Sequence, residues 1–382
     1  MAEAQGYLKA LLDNLRAIRE KSGLTENRLE ERLILGPGWI HRFETGESVP
    51  SIDMLLAILH ETNASFFDLL AGLPEPEAAT VERHVFAERS GNDTLVRFRY
   101  AKFDAEYRLP GSTLEQFEEV VKTLRDGLVK TAGGDGGQTE TIKTDAVSRA
   151  FLRAANVWPD ANPSDLWWFV IYRAYCDPFN HPAQFARLDL TQSWKRTGGW
   201  ALEKVLVKHY GPFLKQRGVN LFIADGATKE NLIRSLKFSE RIEADKIDVV
   251  LTGDRLKKSH FFGVIHVKAS FAERRTDDVP LSTALSKRGY TSILWTMDCK
   301  GTPSATPVNR GELGIADGKR SAKRKDIEDE GYFTGCFSYN TRTQPSSSDL
   351  PVERQIQVCD FSNPDDSFSQ FILARWKKFR SS

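Results

Sequence analysis

The sequence is poor in cysteine and carries almost no net charge. Its four cysteines never form a CxxC pair, which argues against a zinc site and against a disulfide framework; they are Cys176, Cys299, Cys336 and Cys359. The 53 Lys and Arg and 52 Asp and Glu residues leave a net charge of +1, which excludes a strongly basic binder of the histone or ribosomal kind. Residues 1–20 are amphipathic with charges throughout, so we predict no signal peptide or transmembrane segment there, and expect a cytoplasmic protein without a membrane partner.

What is present indicates a folded, multidomain chain. The 382 residues are 40% hydrophobic and 27% charged, which is enough for large cores and for two to three domains. The charge is uneven: residues 1–72 have a net charge of −4 and the remainder +5. The proline-containing stretch 71–80 and the glycine-rich stretch 133–139 read as connections. We therefore predict a helical domain (1–72), a small β/α module (73–141) with a strand pair over 95–109, and a mixed α/β domain (142–382).

Apolar stripes in residues 5–70 predict short helices, with Thr25 as a helix N-cap. The segment 15–70 resembles the XRE/Cro type of helix-turn-helix over its whole length. The landmarks that match keep the spacing of that family: Leu24-Thr25, Leu29, Leu33, Ile40, Phe43-Glu44-x-Gly46, Pro50-Ser51 and Phe67-x-Leu69-Leu70.

The resemblance implies that the third helix enters the major groove with its first residues at base edges. Here those residues are Gly36-Pro37-Gly38-Trp39, which bring few hydrogen-bond donors, and Glu26 stands where a phosphate contact is common. The helical domain is therefore either a DNA reader or a scaffold for dimerisation and weak DNA positioning.

Three segments of the last domain carry candidate chemistry. Residues 199–218 form a predicted helix with Glu203, residues 246–254 a strand with Asp248, and residues 261–268 a strand that ends at Lys268. This order resembles the PD-(D/E)xK nuclease core, a mixed central sheet flanked by helices. The resemblance implies that Asp248 and Glu203 hold Mg²⁺ and that Lys268 orients the attacking water or stabilises developing charge. Glu203 as a surface carboxylate is the competing interpretation.

The pattern departs from that family at one place. His266 stands where the family has an acid two residues before the lysine, and imidazole is a poor Mg²⁺ ligand. His266 is therefore a candidate catalytic residue or a packed one. Restriction enzymes that recognise CCGG or CCNGG also lack this acid and take one from a later helix. The positions matching theirs are Leu281 and Ser282, so Asp277 and Asp278 are left as the nearest carboxylates.

The residues after the lysine resemble the K-x-x-x-R-E-R run of the same restriction enzymes. That run opens a helix in the major groove, where Arg suits guanine and Glu suits cytosine. Glu273 and Arg274 match and are candidate DNA-binding residues, whereas Ala272 replaces the first arginine, whose guanine contact Arg275 could supply. A solvated charge run is the alternative. The stretch 264–314 is similar to the BsaWI-like branch of type II restriction enzymes.

These resemblances together imply a type II restriction endonuclease. We expect Mg²⁺-dependent double-strand cuts in DNA at a short palindrome with a CCGG or CCNGG core, made by a homodimer and leaving 5′-phosphate and 3′-hydroxyl ends. A cognate DNA methyltransferase would be the functional partner. The alternatives are an XRE-type transcriptional regulator with a C-terminal effector domain and a DNA nuclease without site specificity.

Overall fold

The chain divides into two compact units, Met1–Val81 and Glu82–Ser382. The computed structural model describes residues 2–73, 83–100, 103–130, 136–176, 190–238, 243–256, 258–270, 275–299, 309–314 and 320–381. Within these ranges, no helix has both the length and the apolar character needed to cross a bilayer.

The first unit is helical, as predicted. Its described helices are α1 (Ala2–Lys21), α2 (Glu26–Arg32), α3 (Trp39–Glu44), α4 (Ile52–Glu61) and α5 (Phe66–Leu70). The predicted apolar stripes meet in one cluster, whose fully buried members include Leu15, Leu29, Ile40, Phe43 and Ile58. Leu56 of α4, in contrast, is 47% exposed.

Two caps set the helix-turn-helix. Thr25 is the N-cap of α2, and its hydroxyl accepts from Arg28 N at 3.3 Å, which confirms the predicted cap. The N-cap of α3 is Gly38, which has no side chain to cap with. The buried carboxylate of Glu30 accepts from Ile40 N at 2.9 Å instead, so α2 itself caps α3 and holds the turn between them.

The second unit begins with an antiparallel three-stranded sheet. Its strands are β1 (Arg83–Ser90), β2 (Asp93–Tyr100) and β3 (Phe103–Leu109). The predicted pair over 95–109 corresponds to β2 and β3, and β1 is a strand that the prediction did not include. The sheet leads into α6 (Leu114–Leu128), α7 (Gly136–Val157), α8 (Pro163–Cys176) and α9 (Leu190–Lys215). Because α7 begins at Gly136, residues 136–139 of the predicted connection 133–139 are helical, whereas residues 133–135 lie outside the described residues.

The described residues of the stretch 73–141 do not form a core of their own. Val96 and Leu109 of the small sheet and Phe117 and Val120 of α6 are buried in one cluster with α7, α8 and α9. The apolar face of α6 faces α7, so the module proposed from the sequence shares its core with the elements that follow it.

The main sheet has six strands in the order β4 (Val219–Phe222), β5 (Val249–Arg255), β6 (Lys258–Lys268), β7 (Thr291–Thr296), β8 (Gly335–Ser338) and β9 (Ile356–Val358). The pairs from β4 to β6 are antiparallel and those from β6 to β9 are parallel. The remaining described helices are α10 (Gly226–Leu236), α11 (Arg275–Ser286), α12 (Ala322–Glu328) and α13 (Ser367–Ser381). This is the predicted mixed sheet flanked by helices.

Strand β6 lies at the centre of this sheet and is covered on both faces. Ile265 and Val267 pack on one side into the cluster that contains α7 and α9. Val264 packs on the other side with Leu281 and Leu285 of α11. Because side chains alternate along a strand, His266 and Lys268 share the face that α11 covers.

Candidate active site

Asp248 and Lys268 lie side by side at the end of the β5–β6 hairpin. Asp248 immediately precedes β5, Lys268 is the last residue of β6, and the antiparallel register pairs Val249 with Ile265. Lys268 Nζ donates to Asp248 Oδ2 at 2.7 Å. Both residues are buried, with 5% and 8% of their surfaces exposed. The two residues that the sequence resemblance assigns to catalysis are therefore brought together.

The position of Asp248 is fixed by the sheet. Its Oδ2 also accepts from Val267 N at 2.8 Å, so the carboxylate continues the hydrogen bonding of β6 one step beyond the last backbone pair. Two donors on one oxygen leave Oδ1 available for a further partner.

Asp278 approaches the same lysine from the first turns of α11. Its Oδ1 lies 3.4 Å from Lys268 Nζ and 3.5 Å from His266 Nδ1, and the residue is 1% exposed. Burial by itself would raise the pKa of Asp278, but the neighbouring His266 and Lys268 outweigh burial and lower the pKa below its usual value. These neighbours thus favour the ionised form of this buried carboxylate.

The environment of His266 is closed. Its Nε2 lies 3.0 Å from Ser292 Oγ, its ring meets Phe333 edge-on, and it is fully buried. With Nδ1 directed at Asp278 and no exposed atom, this imidazole contacts the candidate carboxylate and not the solvent. The geometry supports a positioning role more than direct contact with DNA.

The carboxylates of Asp248 and Asp278 are suitable ligands for the predicted Mg²⁺. Neither carboxylate oxygen of Asp278 accepts a well-formed hydrogen bond from the described residues, although both oxygens are buried. Buried carboxylate oxygens of this kind are what Mg²⁺ prefers as ligands. Among the described residues, no group of three or more His, Cys, Asp and Glu side chains is arranged to hold a metal ion. The donor set seen here is the pair Asp248 and Asp278 beside Lys268.

Glu203, the other predicted metal ligand, lies in α9. It is buried in α9, whose Leu202 and Val205 belong to the cluster on the face of β6 away from α11. The structure thus does not place Glu203 in a three-ligand group with Asp248 and Asp278.

The candidate DNA-binding run falls largely outside the described residues. Glu273 and Arg274 are among residues 271–274, which are not described, and Arg275 is the first residue of α11 with its side chain not described. The side chain of Asp277 is likewise not described.

Sequence reasoning left the choice between Asp277 and Asp278 open, yet a signal was present. Asp278, Leu281 and Leu285 are spaced three and four residues apart, which places them on one face of a helix. That face is the buried one, so it carries Asp278 inward. Leu281 and Ser282, the positions that match the acid of the related restriction enzymes, lie one turn further along α11 than Asp278.

In the first unit, α3 is the helix expected to enter the major groove. It has six residues, and aromatic and charged side chains lie side by side on its surface. Trp39 is 39% exposed, and the Arg42 guanidinium stacks on its ring at 4.3 Å. His41 Nδ1 lies 3.4 Å from Glu26 Oε1, the carboxylate at the start of α2. The structure therefore leaves both interpretations of this unit standing.

Comparisons with known proteins agree on both units. Residues 228–365 match the family described as BsaWI restriction endonuclease type 2, and residues 10–65 match a helix-turn-helix domain family. The type II restriction enzyme AgeI of Thalassovita gelatinovora is 41% identical over 239 residues, 60% of this chain and 84% of that enzyme. A crystal structure of a specific AgeI–DNA complex is similar with a TM-score of 0.61 and 32% identity, over 76% of this chain and 99% of that one. A pre-specific BsaWI–DNA complex gives a TM-score of 0.34 and 16% identity, over 69% and 94% of the two chains.

Proposed function

Because the chain belongs to the type II restriction endonucleases, it is a site-specific DNA hydrolase, and we propose that it makes Mg²⁺-dependent double-strand cuts at a short palindrome with a CCGG or CCNGG core. The observation that carries this proposal is the buried Asp248–Lys268–Asp278 arrangement at the end of β6. Of the alternatives drawn from the sequence, a regulator without nuclease activity and a nuclease without site specificity do not fit this family.

Asp248 and Asp278 would hold the metal ion. Asp248 Oδ1 and the two oxygens of Asp278 provide hard, anionic donors, and α11 and the start of β5 fix them from two directions. A bound Mg²⁺ would supply Lewis-acid stabilisation of the charge that develops at the scissile phosphate. Glu203, buried in α9, would complete the metal environment from that helix.

Lys268 would act on the attacking water and on the phosphate. Its ammonium is buried and held by Asp248 at 2.7 Å, so it is already ordered before DNA binds. A fixed cation near developing negative charge costs no reorganisation during the reaction, and this is the main source of its benefit. His266 would hold Asp278 in place through Nδ1, with Ser292 on its other nitrogen.

The remaining parts of the proposal follow from the DNA substrate. Glu273 and Arg274, which come just before α11 in the sequence, would read neighbouring cytosine and guanine together with Arg275. Double-strand cutting of a palindrome by one active site per strand implies a homodimer, and the products would carry 5′-phosphate and 3′-hydroxyl ends. We propose a cytoplasmic enzyme whose functional partner is a DNA methyltransferase that protects the same site.

The direct test is plasmid digestion. The purified protein is incubated with plasmid and Mg²⁺, the fragment ends are sequenced, and the Lys268→Ala variant purified in the same way serves as the control for contaminating nucleases. Discrete fragments whose ends share one palindrome with a CCGG or CCNGG core support the proposal. Discrete fragments with another shared sequence contradict the proposed core, and no cutting with any divalent cation contradicts the proposed activity.

A further inference from the structure

The loop 309–314, which follows β7, is held tightly against the rest of the second unit. The buried side chain of Asn309 donates from Nδ2 to Ser164 Oγ and to Asp165 Oδ1, both at 2.8 Å. Its Oδ1 accepts from Trp168 Nε1 at 3.2 Å. Both amide hydrogens and the amide oxygen are thus bonded inside the protein, so Asn309 is an anchor of the loop.

A second anchor is the buried Asp298, two residues beyond the end of β7. Its Oδ1 accepts from Glu312 N at 2.7 Å and from Leu313 N at 3.0 Å. Gly311, at a φ of +85°, passes so close to this carboxylate that a side chain there would clash with it. The backbone on both sides of residue 310 is therefore fixed.

Arg310 is the exception in this loop. It is exposed, whereas Asn309 and Leu313 are buried, and its guanidinium makes no hydrogen bond or ion pair with any residue that the structure describes. A rigid loop that presents a single unpaired arginine is suited to a partner that is not part of the fold. Little conformational entropy remains to be lost in the backbone when such a side chain binds.

The loop lies at the catalytic edge of the sheet. Strands β6 and β7 are parallel, so their carboxyl ends lie together, with Lys268 paired to Thr296. Ser270, two residues after Lys268, donates through Oγ to Glu312 Oε2 at 2.9 Å. The same Glu312 oxygen lies 2.8 Å from Lys323 Nζ. The loop is thus joined to the chain just before the run 272–275.

The run 272–275 lacks one arginine of the restriction-enzyme pattern. Ala272 stands where the K-x-x-x-R-E-R pattern has its first arginine, so the side chain that would contact a guanine there is missing. We propose that Arg310 supplies this contact and reads the O6 and N7 of one guanine of the recognition sequence. This proposal rests on the proposed function, since it needs a guanine-containing site cut by this enzyme.

A base-edge contact fits the loop better than a phosphate contact. A guanidinium fork needs a defined direction to donate two parallel hydrogen bonds to guanine, and the anchors around Arg310 provide such a direction. A phosphate contact tolerates a mobile side chain and needs no such support.

The test removes one acceptor from the DNA at a time. After the cut sequence has been found by end sequencing, each of its guanines is replaced in turn by 7-deazaguanine in a duplex oligonucleotide. Binding is measured for the wild-type protein, Arg310→Ala, and Arg255→Ala as a matched control. Arg255 is also an exposed arginine, but it lies at the opposite end of β5 from Asp248. The melting temperature of Arg310→Ala should equal that of the wild type.

We expect Arg310→Ala to bind the unmodified site about 10- to 100-fold more weakly, the range for a lost guanine contact. One 7-deazaguanine position should weaken the wild type and Arg255→Ala but leave Arg310→Ala unchanged. Equal sensitivity of all three proteins at every position would overturn the proposal, as would unchanged affinity of Arg310→Ala. A third outcome would also overturn the proposal: Arg310→Ala binds every DNA sequence more weakly, and the slope of its log affinity against log salt concentration is smaller by about one. That outcome would indicate a phosphate contact.

These results separate the inference from the proposed function. A cut sequence without a CCGG or CCNGG core refutes that core, but the guanines actually present still test Arg310. A confirmed core with an insensitive Arg310→Ala refutes the inference alone.

Discussion

Lys268 Nζ and Asp248 Oδ2 lie 2.7 Å apart although twenty residues separate them along the chain. The β5–β6 hairpin folds the chain back so that the residue before one strand meets the last residue of the next. Asp278 adds a second carboxylate to the same ammonium at 3.4 Å. An isolated buried charge would cost several kcal/mol, so these three groups depend on one another.

Lys268→Ala is expected to lower the single-turnover cleavage rate at least about 100-fold, because a preorganised cation is lost at the reacting phosphate. Site-specific DNA binding in Ca²⁺ should persist. Lys258→Ala, at the exposed start of the same strand, is the matched control and should cut normally. Retained cutting by Lys268→Ala would exclude this lysine from the active site.

Asp278→Asn is expected to reduce cleavage at least about 100-fold and to raise the Mg²⁺ concentration needed for half-maximal rate, because a neutral amide is a poorer ligand for a hard cation. Titration of Mg²⁺ in single-turnover assays measures both effects. Asp277→Asn changes the adjacent carboxylate and should leave the Mg²⁺ requirement unchanged. If Asp277→Asn raised the Mg²⁺ requirement and Asp278→Asn did not, the metal ligand would be Asp277 instead of Asp278.

The stability of the second unit should depend on the protonation of Asp298. Burial raises the pKa of Asp298 to about 6, from an ordinary value of 3.8. Between about pH 4 and pH 6 the folded protein holds a proton that the unfolded chain has released, so this group makes stability fall as the pH rises through that window.

Asp298→Asn removes this proton but keeps an oxygen to accept from Glu312 N and Leu313 N. As the pH rises from 4 to 7, the wild type loses this contribution and the variant does not. The unfolding free energy of the variant should therefore rise by up to about 3 kcal/mol relative to that of the wild type. Urea unfolding of both proteins at several pH values measures this difference. Parallel pH profiles would show that Asp298 has an ordinary pKa.

Removal of residues 1–81 should leave the cut sequence unchanged, because the main sheet and the candidate active-site residues lie in Glu82–Ser382. Affinity for DNA or assembly should weaken, since the helix-turn-helix unit is lost. Fragment-end sequencing and titration of the shortened protein with DNA measure the two properties. An altered cut sequence would show instead that the helix-turn-helix reads bases.

Much of this protein is determined by local sequence. The spacing of apolar residues in 5–70, the N-cap Thr25 and the turn residues specify the helix-turn-helix, because these signals act within a few residues. The strand that follows Asp248 and the strand that ends at Lys268 are likewise visible as short β-forming runs, and so the pairing of these two residues could be anticipated from a hairpin.

Tertiary structure decided what depends on packing between distant segments. The choice of Asp278, the enclosure of His266 and the anchoring of the loop around Arg310 depend on how α11 and the segment after β7 settle on the sheet. The described part of residues 73–141 is another example. Its apolar faces pack with α7 and α8, and this packing makes it part of the larger core. The near-zero net charge fits the proposed recognition of DNA, which would rely on a few rigidly held groups and not on general attraction to phosphate.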